Sequence, residues 1–244
     1  MALSFRYLIT GWLVWAGLTA TIARAQSPAN GERQFTLLAG GEANWQGVAY
    51  QPVLAKVVPL TFSHQRRSDV QKAVGETLVF TRERIDPSTG QPVRVPVARV
   101  SWPAGVRKAL LVFVPRSIRG ADGLEFDVLA IDDGFEAFPG NSLRVLNLTP
   151  VNLLGRIGER QAEFKPGVSP VTDLADLVPP GAAAVALALG MRTETGALTL
   201  YLGPLETSPS TRALVMVLPP KTADSRKVRV FMITQPVPKP LVVK

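Results

Sequence analysis

From Phe35 onward the apolar residues fall into short runs, roughly four to nine positions each, separated by Gly, Pro, Asn and Asp. Runs of that length between turn residues are the mark of strands and turns. The pattern predicts strands over residues 35–39, 50–58, 77–84, 93–102, 109–114, 125–131, 143–147, 163–165, 183–190, 197–202, 213–218 and 227–234. Alternation is clearest in 77–84, where Leu78, Phe80 and Arg82 share one face and Val79, Thr81 and Glu83 the other. The continuous run 109–114 predicts a central strand, covered on one face and hemmed by neighbours on the other. No segment sustains a helical period with both caps. The best helix candidate is 68–74, with Ser68 as N-cap and Gly75 as stop, and it is two turns long.

Twenty-one prolines and 20 glycines are hard to house in helices, but strand ends and edges accept them. Pro52, Pro59, Pro96, Pro103, Pro115 and Pro219 sit at or near strand boundaries, where they blunt edge-to-edge pairing. The expected fold class is all-β, an antiparallel β-sandwich.

An internal similarity bears on its organisation. Lys108 precedes ALLVFVP, a polar turn with Asp122 and then FDVLAID; Arg212 precedes ALVMVLPP, a polar turn with Asp224 and then VRVFMIT. The spacing suggests two tandem immunoglobulin-like units, 26–139 and 140–240, followed by a tail at 241–244. One large domain with two similar buried hairpins fits the same pattern. Under either reading the joint falls at Phe138-Pro139-Gly140-Asn141.

The strand LRVLNLTP at 143–150, with Pro166-Gly167 and a further β pair after it, resembles secreted bacterial β-sandwich repeats of unassigned function. Units of that family open with a V-R-V-x-N-x-S-P strand, and here Leu146 and Thr149 stand at places that vary or carry serine. The resemblance spans residues 143–182 and implies an envelope β-domain, with no catalytic residues to carry over. The whole chain also resembles uncharacterised exported bacterial proteins.

Residues 1–25 change the picture most. Arg6 precedes an apolar stretch over 7–23, and Ala23-Arg24-Ala25 has the small-x-small form that signal peptidase cuts after, predicting cleavage between Ala25 and Gln26. Retention as a membrane anchor is the alternative, and the only route by which the sequence implies membrane association. A lipid anchor would need a cysteine, and the chain has none. Export to the periplasm or the extracellular space is therefore expected. The lack of cysteine also removes disulfides, thiol catalysis and thiolate metal sites.

The net charge of +8 is spread along the chain without a basic block. A scattered excess of that kind serves first to keep a surface hydrated; its functional reading is weak attraction to an anionic or polysaccharide envelope polymer, or to an envelope protein, and nucleic acid is disfavoured.

Candidate chemistry is sparse. Hydroxyl nucleophiles of the Ser-His-Asp type need an imidazole, and His64 is the single histidine. Its neighbour Ser63 would point to the opposite strand face, so His64 reads as a surface residue at a strand end. No cofactor is implied. The acidic stretch with Asp127, Asp132, Asp133 and Glu136, near Asp122, is the one place where oxygens could gather around calcium, although its spacing departs from the EF-hand loop. The candidate binding residues are Trp45, Asp132, Asp133 and Glu136, with Trp45 in GGEANWQG expected exposed and Trp102 expected in the core. Asn147-Leu148-Thr149 matches a glycosylation sequon inside a predicted strand.

The sequence thus predicts an exported, non-enzymatic structural or binding module that acts through loops or an exposed sheet edge. The alternative is a carbohydrate-binding or glycoside-cleaving protein built on the acidic loop and Trp45.

Overall fold

The computed structural model describes residues 32–52, 56–118, 120–194, 196–221 and 227–237. The expected signal segment 1–25, its Ala25–Gln26 cut, Asp224 and the tail 241–244 lie outside the described residues. Within them the chain is an all-β sandwich structure.

The first half contributes β1 (Gln34–Ala39), β2 (Val48–Tyr50), β3 (Val58–Pro59), β4 (Gln71–Lys72), β5 (Thr77–Ile85), β6 (Pro92–Ser101), β7 (Lys108–Pro115) and β8 (Phe126–Asp132). They form two sheets, ordered β4-β1-β7-β8 and β3-β2-β5-β6. The second half contributes β9 (Ser142–Asn147), β10 (Leu153–Ile157), β11 (Arg160–Phe164), β12 (Gly167–Val168), β13 (Thr172–Asp173), β14 (Ala184–Thr193), β15 (Gly196–Glu206), β16 (Thr211–Leu218) and β17 (Arg229–Pro236). Its sheets run β12-β9-β16-β17, with β13 also on β9, and β11-β10-β14-β15.

The halves repeat one plan. In each, the first strand pairs parallel with the penultimate one, Gln34 opposite Lys108 and Ser142 opposite Arg212. In each, the long hairpin of the outer sheet carries a register shift, after Phe80 in β5 and after Leu189 in β14. The parallel pairs are the departure from a purely antiparallel sandwich.

Side-chain alternation explains the layers. Phe35, Leu37, Leu111 and Phe113 face the inner side of β5 and β6, while Val145, Val215 and Val217 face Leu187 and Leu189 of β14. The opposite faces of the same strands meet each other: Leu38, Leu110 and Val112 from the first half pack on Leu146, Leu214 and Met216 from the second. Four sheets are therefore stacked, and the two middle ones are covered on both sides. That is why β7 and β16 are continuously apolar, and why 109–114 is more enclosed than its sequence suggests.

Residues 68–74 are not a helix. Ser68 Oγ accepts from Leu37 N at 3.0 Å, and Gln71–Lys72 pair antiparallel with β1. A segment this short is stabilised more by completing a sheet edge than by two isolated helical turns.

Candidate functional site

Two places gather polar groups and join the halves, and a third is an exposed strand edge. The first surrounds the joint. Arg144 on β9 and Arg212 on β16 project toward the segment after β8. Arg144 donates to Asp132 O at 2.9 Å and Ala137 O at 3.0 Å, and Arg212 donates to Phe138 O at 2.7 Å. Both guanidiniums lie over the Phe138 ring, 4.9 and 4.6 Å from its centroid, in cation–π contact. Asp133 is buried and accepts from Arg212 at 2.8 Å and from Arg67. Burial pushes both the Arg144 and the Arg212 guanidinium pKa down, against the nearby Asp133 charge that raises it. An ion pair this enclosed, with its carboxylate held by two arginines, fastens one half to the other. Gly140 allows the chain to turn there: a Cβ on it would lie 1.9 Å from Pro209 O, and Asn141 beside it has a positive φ of 53°.

The second place lies around Glu42. Its carboxylate takes Arg229 and Lys221 of the second half, with His64 Nε2 at 3.5 Å. His64 Nδ1 contacts Ala39 O at 2.9 Å and its ring stacks on Phe231, 5.4 Å between centroids. The histidine expected at the surface is thus half-buried between the halves, and neither Ser63 nor Asp69 is its hydrogen-bond partner. Burial raises the Glu42 carboxyl, but the hydrogen bonds from Lys221 and Arg229 and the charges of Lys221 and His64 prevail and hold it below its ordinary value.

The sequence candidates do not converge. Trp45, expected exposed, is stacked between Phe62 and Phe126 at 4.7 and 4.8 Å, so it is no platform for a sugar. Asp133 is the buried anchor just described. Asp132 Oδ1 caps its own turn through Gly134 N at 2.9 Å, and Glu136 is exposed. Trp102 is in the core, its Nε1 donating to Val106 O at 2.7 Å. Asp122 and Asp127 both bind Arg116, and hydrogen bonding from Arg116 is the largest cause that holds the Asp122 carboxyl below its ordinary value. Among the described residues no group of three or more His, Cys, Asp or Glu side chains could hold a metal ion. Asn147 of the sequon is buried and donates to Val151 O at 2.7 Å and Phe164 O at 3.0 Å, while Thr149 Oγ1 donates back to its Oδ1. Arg144, Asn147 and Thr149, the distinctive residues of LRVLNLTP, all serve the fold.

The third place was not singled out by sequence. β15 is the edge of its sheet, eleven residues long, and among the described residues it pairs only with β14. Nothing charged interrupts it between Gly196 and Leu205, and Leu202 is 69% and Leu198 43% exposed. A crevice of about 590 Å³ opens between its first half and the residues leading into β17, lined by Ala197, Leu198, Leu200, Lys227 and Val228. A long uncharged edge beside a crevice lined by Leu198, Leu200 and Val228 together with Thr193, Thr199 and Lys227 offers ladder hydrogen bonds and a side-chain pocket to an incoming strand. The signal that could have found it is GALTLYLGPL itself, an uncharged strand with one late proline.

The chain matches no protein-family model and no curated protein.

Proposed function

We propose that this is an exported, non-enzymatic β-sandwich protein of the bacterial envelope or extracellular space, a structural and binding module whose working surface is the β15 edge. The observation that carries the reading is that edge: eleven residues, uncharged until Glu206, next to a crevice lined by Leu198, Leu200 and Val228. Natural sheets blunt such edges with charge, proline or cover, and β15 carries only Pro204 and Glu206, both at its far end. The side chains that could otherwise serve chemistry are engaged in structural contacts within and between the halves: Asp133 with Arg67 and Arg212, Glu42 with Arg229, and His64 with Ala39 O and the Phe231 ring. The carbohydrate reading loses its footing because Trp45 is sandwiched between rings and Asp133 is buried.

Two measurements test this. Protein recovered from outside the cytoplasm should have a mass that begins at Gln26; a full-length chain confined to the cytosol would remove the export reading. Association of the exported chain should be lost in Thr199→Lys/Leu202→Lys, whose substitutions sit on exposed positions and leave the unfolding midpoint in place. Retention of every association by that variant would show that the edge is not the working surface.

A further inference from the structure

We draw no further inference here: the strongest candidate, the crevice between β15 and the residues leading into β17, belongs to the strand edge already described, and nothing in the structure shows what covers it.

Discussion

In the first half, β6 carries Pro92, Arg94, Pro96 and Arg99, and the residue leading into β8 seals it: Glu125 N donates to Val97 O at 2.8 Å while its carboxylate binds Arg82 at 2.6 Å and also Arg84. In the second half β15 occupies the corresponding place with a single late proline and no arginine, and no ladder joins it to β17 among the described residues. The strand order, the parallel central pair and the bulged hairpin are common to both halves. Core patterning therefore specifies the topology twice over, whereas the edge residues, which the core does not constrain, decide which outer edge is tied down by its neighbours and which, among the described residues, pairs on one side alone.

The comparison can be broken most strongly at what the halves share. Asp133→Ala leaves Arg67 and Arg212 facing each other without their carboxylate, and a loss of about 3–5 kcal/mol is expected in urea denaturation. A loss below about 1 kcal/mol would mean that the halves stand independently and that their likeness is not held by a common seam. The next effect sharpens the contrast of edges. Glu125→Gln should cost about 2 kcal/mol, the worth of charge-assisted hydrogen bonds at a mostly enclosed site. Amide exchange should quicken along β6 and stay unchanged along β15; equal quickening in both would deny that Glu125 is a local seal. The smallest effect concerns Glu42. Its pKa is depressed in the folded chain, so its contribution is present above the ordinary value of 4.5 and is lost as the pH falls through the lower folded value. Glu42 is nearly half exposed and screened by water, which limits the effect to below about 1 kcal/mol. The melting temperature should fall in acid less steeply for Glu42→Gln than for the native chain, and identical slopes would remove Glu42 from the account.

Most strands were legible because their ends are written in Gly, Pro, Asn and Asp, which act locally, but the run expected as one strand over 50–58 is instead β2 and β3, paired with each other. β10 escaped, since Gly155 and Arg156 break its apolar run; Gly155 is there because a Cβ would come within 2.4 Å of the Phe164 ring. The two-residue strands β12 and β13 carry too little pattern to read. Trp45 looked exposed among glycines and small polar residues, but its rings of contact, Phe62 and Phe126, come from distant parts of the chain. Asp133-Gly134 reads locally as a turn, and it does end a strand. Its burial depends on Arg67 and Arg212, which no window around Asp133 contains. The stacking of the middle sheets was hidden for the same reason: a continuous apolar run shows that both faces are dry without saying what dries them.

The parallel pairs set an order of events for the newborn chain. β1 has only the two residues of β4 for company until β7 exists, and β9 likewise waits for β16 beyond β12 and β13. Closing such distant pairs costs chain entropy before any contact returns it, so each half should fold late and slowly, as one event triggered by its penultimate strand. A chain interrupted before residue 108 or residue 211 would carry a nearly complete outer sheet with no lid over its apolar face. Slow closure would keep the polypeptide unfolded long enough to be handled as a thread.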